Sequence, residues 1–326
     1  MRYPRLTTVT VAAVLALGSA IGVLVQARPA LANPGYHLPY PNGLTYVAYT
    51  HGPGQDQYAY DFTLGLGATV STAHHGTVWS TKFDSNTGAC DISYASYANF
   101  LTVKDSVDTS KSTLYLHLLQ NSAQVSRNQF VYQGRPLAGA DNTGYSCGNH
   151  LHFALETTPA NQDSCCTQSI PITFDEYPGG IANGGSYTSA NRLRFDSKYL
   201  GGSEWVTLSP GATRVEVGQW QNTGWDLWRF SQSGFSARLG TWNPIPGQDQ
   251  PSLIGGAAGC SVVTDWLGCN RIRPTTEGVD PDQTGFFQFT VKGPPSSGVY
   301  KLYERPLIEG VTWMRDEGVF WQVTVP

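Results

Sequence analysis

Short alternating runs of apolar residues are the sequence feature that most constrains the fold of this chain. No segment keeps the 3.6-residue apolar period of an amphipathic helix. A period of two recurs in runs that are bounded by Gly, Asn, Asp or Pro, at residues 58–62, 76–83, 100–103, 112–118 and 151–155. This pattern is typical of half-buried antiparallel strands joined by hairpin loops. The 36 Gly, the 20 Pro and the low charged content of 13% agree with it. We therefore predict a mainly β chain.

At 326 residues the chain exceeds the usual length of one domain. The alternation gives way to Gly-rich and Ser-rich sequence between about 157 and 203, and we expect a linker there, at 176–204. A first domain then covers 33–175 and a second covers 205–326. All seven His lie in the first domain and eight of the nine Trp in the second. Trp in a small β-sandwich belongs to the core more often than to a sugar-binding surface, so we expect these Trp to be core.

The N-terminus has the pattern of a signal peptide. Arg2 and Arg5 precede an apolar run from Val9 to Val25, which ends near the small-x-small site Ala30-Leu31-Ala32. We predict a signal peptide over 1–32, with an uncleaved membrane anchor as the alternative. Residues 1–32 contain three Arg and no acid, so cleavage takes the net charge from −4 to −7. The acidic mature chain is expected to be secreted or associated with the cell wall, without stable membrane insertion and without binding nucleic acid.

Six Cys in an exported chain predict disulfides. Cys260 and Cys269 lie nine residues apart around a turn-like segment and form the easiest local pair. Cys165 and Cys166 are adjacent, which requires either an eight-membered ring or two separate distant partners. The absence of a Cys-x-x-Cys spacing argues against a zinc site made of thiolates.

The histidines form the pattern that points to chemistry. His150 and His152 are two apart in an apolar run, so a strand would place both imidazoles on one face. The same alternation predicts that Tyr115 and His117 share a face. His51 and Asp61 bracket a loop that leads into a strand and could meet at one point. Two nitrogens and one carboxylate, with a fourth position open, are the usual ligands of a catalytic zinc ion.

Four motifs in this order resemble the LytM/lysostaphin-like metalloendopeptidases. They are His51…Asp61, Ala73-His-His-Gly-Thr-Val78, Tyr115-Leu-His117 and Gly148-Asn-His-Leu-His-Phe153. The resemblance covers about a third of the chain. It implies one Zn²⁺ per chain, held by His51, Asp61 and His152, with His37 as the alternative first ligand.

The same resemblance implies that His117 and His150 act on the water and on the transition state. Within the family the chain is most similar to the staphylolytic (LasA-like) branch, which implies a disulfide between Cys90 and Cys147. His74 and His75 lie at the hairpin of the second motif, and we expect them to be surface residues rather than ligands.

The second domain resembles the immunoglobulin-like β-sandwich of the next-to-BRCA central type. The segments that carry this resemblance include 238–242, 286–291 and 309–321. Such a domain implies positioning or surface attachment rather than chemistry.

Together these patterns predict a secreted, monomeric zinc metalloendopeptidase that hydrolyses peptide cross-links of bacterial peptidoglycan. One alternative is a catalytically silent module that binds wall peptides or regulates another hydrolase. Another is a Trp-rich carbohydrate-binding protein, which leaves the order of the four motifs unexplained. A serine hydrolase of the Gly-x-Ser-x-Gly type is discounted because that motif does not occur.

Overall fold

A computed structural model describes residues 35–202, 205–231, 235–242, 249–255 and 266–326. The predicted signal peptide lies outside these residues. The described chain is built almost entirely of β-strands with one short 3₁₀ helix, Ile92–Tyr97, which confirms the prediction of a mainly β fold. Within the described ranges, no helix has the length and hydropathy needed to cross a membrane.

The N-terminal half contains twelve strands. They are β1 (Thr45–Thr50), β2 (Tyr60–Phe62), β3 (Thr69–Ser71), β4 (Gly76–Lys82), β5 (Gly88–Ala89), β6 (Phe100–Asp105), β7 (Lys111–Leu116), β8 (Phe130–Val131), β9 (Pro136–Gly139), β10 (Gly144–Tyr145), β11 (Leu151–Thr157) and β12 (Gly185–Thr188). Eight of them form one antiparallel sheet in the order β12-β1-β2-β11-β7-β6-β4-β8. Strands β3 and β9, and strands β5 and β10, form two small additional pairs.

The faces of this sheet follow from the alternation of side chains. On β11, Leu151, Phe153 and Leu155 point into the main hydrophobic core, as the sequence predicts. The intervening residues of β11 therefore face the opposite side, where His152 lies opposite Asp61 of β2 and opposite Leu116 of β7. The core packs one face of the sheet and leaves the other for a site.

In the described residues of the C-terminal half, eleven strands form two main sheets and one small pair. They are β13 (Ser197–Gly201), β14 (Trp205–Thr207), β15 (Thr213–Asn222), β16 (Trp228–Arg229), β17 (Ala237–Thr241), β18 (Arg271–Ile272), β19 (Gly278–Val279), β20 (Thr284–Lys292), β21 (Gly298–Ile308), β22 (Thr312–Trp313) and β23 (Phe320–Val325). One sheet has the order β13-β15-β20, and the other has the order β14-β23-β21-β17-β18 with β22 beside β21.

A second hydrophobic core joins these two sheets. Trp220 and Phe287 come from the first sheet, and Leu302 and Trp321 from the second. The sheets therefore pack face to face as a sandwich. Its immunoglobulin-like topology remains a prediction. Four of the eight tryptophans are buried here as expected, namely Trp220, Trp228, Trp266 and Trp321. The expectation is wrong for Trp205, which is 70% exposed on an outer strand.

Two strands lie in the described part of the segment that we predict to be a linker, 176–204. Strand β12 pairs with β1 of the first sheet, and β13 pairs with β15 of the sandwich. The alternation of apolar residues did not predict β12, because its sequence is Gly-rich and a strand at a sheet edge needs few apolar side chains.

The expectation that His74 and His75 are surface residues is wrong, because both side chains are buried. His74 Nδ1 lies 3.1 Å from the carboxylate of Asp105. His75 Nε2 lies 3.3 Å from a carboxylate oxygen of Asp282, which belongs to the C-terminal half. The two histidines are buried because the C-terminal half packs over this hairpin. The sequence of the hairpin alone could not predict that contact. Residues 33–326 form one compact unit.

Candidate metal centre

Four strands bring the predicted site residues to one end of the sheet. His51 follows the last residue of β1, Asp61 is the middle residue of β2, His150 precedes β11 and His152 lies within it. His117 directly follows β7. Residues far apart in sequence meet because β1, β2, β11 and β7 are consecutive neighbours in the sheet.

Three side chains converge on one point. His51 Nε2 and His152 Nδ1 each lie 3.0 Å from the same oxygen of Asp61, Oδ1. The three potential ligand atoms of His51, Asp61 and His152 all lie within 4.8 Å of one another. Two imidazole nitrogens and a carboxylate oxygen at such spacing suit Zn²⁺. The donor set therefore fits the expected ion.

Electrostatics favours an ionised carboxylate at this point. Burial alone would raise the pKa of Asp61, but hydrogen bonds from His152 and His51 outweigh it and lower the pKa well below its ordinary value. The pKa of His51 is raised, chiefly by its hydrogen bond to Asp61. A cation at this position would replace the protons through which the two imidazoles hydrogen-bond to the carboxylate.

Two further histidines stand beside this group. The ring centroids of His117 and His150 are 4.6 Å apart, and His150 Nε2 lies 3.6 Å from Asp61 Oδ1. His117 Nδ1 lies 2.7 Å from the carbonyl oxygen of Thr143, and His150 Nδ1 lies 2.8 Å from that of Gly148. A carbonyl oxygen only accepts, so each Nδ1 carries the hydrogen and each Nε2 is left to exchange a proton.

The prediction that Tyr115 and His117 share a face is wrong. Tyr115 is fully buried in the main core, and its hydroxyl accepts a hydrogen bond from the backbone N–H of Ala73. His117 has a left-handed backbone, with φ of 62°, just beyond the end of β7. This conformation breaks the alternation and turns the imidazole toward the site. Burial, together with the nearby His150 and His152, lowers the pKa of His117 to about 3, so its ring is neutral at pH 7.

The remaining predicted residues lie elsewhere. His37, the alternative ligand, faces Glu176 at 3.0 Å and Asp175 at 3.7 Å, away from Asp61. Cys90 and Cys147 are joined by a disulfide. Cys165 and Cys166 are bonded to each other, so the ring is the alternative that occurs. Cys269 is disulfide-bonded, whereas its predicted partner Cys260 lies outside the described residues.

A cleft of about 780 Å³ is lined by the proposed ligands and their two neighbouring histidines, namely His51, Asp61, His117, His150 and His152. Its walls also include Cys165 and Cys166, and four side chains that no sequence motif indicated, namely Tyr49, Phe100, Leu116 and Tyr145. Tyr49 lies on β1, two residues before His51, which directly follows the strand, so the period of two could have indicated it. Phe100 and Leu116 come from neighbouring strands, and only the pairing of β6 with β7 brings them to the cleft.

Comparison with known proteins finds a match in the region of the chain that contains most of the site. Residues 55–164 match the sequence model of Peptidase family M23. Asp61, His117, His150 and His152 lie inside this match, and His51 lies four residues before it. No curated protein matches the chain significantly.

Several solved structures are similar over part of the chain. The catalytic domain of lysostaphin from Staphylococcus simulans shares 20% identity over 40% of this chain and 88% of that domain, with a TM-score of 0.28. A zinc-containing peptidase from Vibrio cholerae shares 19% identity over 43% of this chain and 41% of that one, also with a TM-score of 0.28. At these TM-scores the likeness describes neither the fold of the whole chain nor its activity. Residues 55–164 are therefore similar to a peptidase domain of the M23 type.

Proposed function

We propose that this chain is a secreted zinc metalloendopeptidase that hydrolyses peptide cross-links of bacterial peptidoglycan. One observation carries the proposal: the ligand atoms of His51, Asp61 and His152 lie within 4.8 Å of one another in the wall of an open cleft. The M23 match supports peptide-bond hydrolysis. The order of the four LytM-like motifs supports a wall peptide as the substrate.

In this proposal His51, Asp61 and His152 hold the zinc ion. When bound, the ion supplies Lewis-acid activation of water and of the peptide carbonyl. Three protein ligands leave a coordination position for the reaction, which is typical of catalytic rather than structural zinc sites. Tyr49 and Tyr145 line the cleft in which the peptide would lie.

His150 is the proposed general base. Its Nδ1–H donates to the carbonyl of Gly148, and the opposite nitrogen points toward Asp61 at 3.6 Å. The lone pair on Nε2 can therefore take a proton from water held at the site. The backbone contact fixes the tautomer and the ring orientation, so no rearrangement is needed before the transfer.

His117 is the proposed proton carrier for the leaving amine. Its neutral ring has Nδ1–H on the Thr143 carbonyl, so Nε2 must first accept the proton that His150 took from water, and only then can it donate that proton to the leaving amine. The ring lies 4.6 Å from that of His150, measured between centroids. This order of events favours protonation of the leaving amine over an initial hydrogen bond to the carbonyl oxygen.

The test measures zinc per chain and the amine ends released from purified cell wall. His117→Ala should keep about one zinc per chain and lose about 10²- to 10⁴-fold in rate, the usual contribution of one acid–base group. His51→Ala should lose both zinc and activity. His37→Ala is the matched control, because His37 contacts Asp175 and Glu176 instead, and it should change neither quantity.

Two outcomes would contradict the proposal. Full zinc loading of the wild-type chain with no amines released from any wall tested would indicate a catalytically silent binding module. Loss of zinc in His37→Ala and retention in His51→Ala would mean that the ligand set is wrong.

A further inference from the structure

The disulfide between Cys165 and Cys166 lies in the cleft rather than in a structural core. Both residues line the same cavity as His51, Asp61 and His152. Both are partly exposed, so they present surface to whatever enters the cleft. Nothing in the proposed chemistry uses them, which leaves their place in the cleft to be explained.

The ring covers the surface of the sheet directly beyond the metal centre. It packs against a small apolar cluster made of Ala59, Phe100, Leu114 and Ala154, with Leu116 beside it. Ala154 is two residues beyond His152 on β11 and therefore faces the same side of the sheet. The ring therefore packs on the side of the sheet that carries His152, and it lines the same cleft.

Hydrogen bonds hold the ring in place from two directions. The Gln55 side-chain amide donates to the carbonyl oxygens of both Cys166 and Thr167, and the Thr167 distance is 3.1 Å. The backbone N–H of Thr167 donates to the buried Glu156 carboxylate at 2.8 Å. Gln55 belongs to the loop that follows His51, and Glu156 to the strand that carries His152. The ring is therefore tied to two elements that bear the proposed metal ligands.

We propose that the Cys165–Cys166 disulfide is the end wall of the substrate cleft and limits the size of the substrate side chain bound next to the scissile bond. The inference rests on the proposed function. A disulfide offers polarisable sulfur atoms and no strong hydrogen-bond donor, so it contacts a small apolar group well. Phe100 and Leu116 line the cleft with it and pack in the same apolar cluster.

The experiment first identifies the bond. Mass spectrometry of the fragments that the wild-type chain releases from purified wall gives the cleaved peptide. Synthetic peptides that span this bond are then made with Gly, Ala, Leu or Phe at each flanking position. The ratio of kcat/KM for large over small side chains is compared between the wild type and Cys165→Ala/Cys166→Ala.

The wild type should prefer small side chains at one of the two positions. The double variant should raise the large-to-small ratio there by about tenfold or more, the discrimination that a pocket wall achieves through one or two methylenes. Its zinc content should equal that of the wild type. An unchanged ratio at both positions, in a zinc-loaded variant, overturns the proposal. A wild type that releases no amines from wall refutes the proposed function instead.

A second pair of variants keeps the test independent of disulfide removal. Gln55→Ala loosens the ring and leaves both cysteines in place. Gln57→Ala is the matched control: it changes the same residue type in the same loop, and Gln57 is exposed. Gln55→Ala should move the ratio in the same direction as the double variant, and Gln57→Ala should leave it unchanged. Equal ratios for the two glutamine variants would contradict a wall held by Gln55.

Discussion

Asp61 and His152 lie directly opposite each other on β2 and β11, with Asp61 Oδ1 3.0 Å from His152 Nδ1. The pairing of two antiparallel strands therefore sets the distance between two proposed zinc ligands, and a flexible loop does not. Only His51, at the end of β1, depends on where a strand stops. Strand pairing therefore fixes the relative position of Asp61 and His152.

Removal of the carboxylate should abolish metal binding. Asp61→Asn keeps the shape of the side chain but loses the charge, and we expect zinc affinity to fall by more than about 100-fold. Competition with a chromophoric chelator measures the dissociation constant. The control is Asp56→Asn, an equal charge change in the same cleft, which should alter affinity by less than about threefold. Similar losses in both variants would mean that only the net charge of the cleft matters.

Glu156 should make the folded state less stable as the pH rises. Burial raises the pKa of this carboxyl to about 7 from 4.5, against the opposing hydrogen bond from Thr167. The folded state therefore holds the proton more tightly than the unfolded chain. This contribution to stability is fully present below about pH 4.5, and it is lost as the pH rises toward about 7, by about 3 kcal/mol.

Urea unfolding of wild type and Glu156→Gln at about pH 5 and about pH 8 measures this effect. Glutamine can still accept the hydrogen bond of Thr167 but cannot ionise. We expect the variant to gain stability over the wild type as the pH increases. An identical pH dependence for the two proteins would show that Glu156 does not titrate in this range.

The disulfide between Cys90 and Cys147 should stabilise the fold by restricting the unfolded chain. It closes a loop across a sequence separation of 57 residues, for which chain entropy gives about 4 kcal/mol. Cys90→Ser/Cys147→Ser should therefore lower the free energy of unfolding by about this amount. Denaturant titration under oxidising conditions measures the loss. A dithiol reductant should further destabilise the wild type much more than the variant. Equal sensitivity to the reductant would contradict the assignment.

Asp282 should couple the two halves of the chain. Its carboxylate lies 3.3 Å from His75 Nε2 and 2.9 Å from Arg192 Nη1. Asp282→Asn removes the charge at a backbone φ of 67°, which asparagine tolerates, so the turn itself should survive. We expect a loss of about 3 kcal/mol, because Arg192 and His75 stay buried without their partner. Calorimetry should then show the transitions of the two halves separating. Asp280→Asn is the control, because Asp280 is an exposed neighbour, and this variant should keep a single transition. Two separate transitions in Asp280→Asn as well would mean that a disturbed turn, and not the lost ion pair, separates the halves.

The sequence by itself determined the β character of the chain, because turn residues at short intervals leave no room for helices. It also indicated that His150 and His152 point the same way, since alternation along one strand is a local property. The chemistry of the donor set followed from the residue types, and the resemblance to a family supplied the pairing of His51 with Asp61.

Tertiary structure decided which side chains are buried and which distant residues meet, because local sequence patterns do not contain that information. The left-handed backbone of His117 broke an alternation that placed it with Tyr115, because the strand ends at Leu116 whereas the apolar pattern continues to Leu118. His75 is buried by a carboxylate that lies more than two hundred positions away in sequence. The Cys165–Cys166 ring borders the cleft because the loop that carries it folds back over β11. Burial and convergence depend on which distant segments meet, and the pairing of strands settles that only when the whole sheet has formed.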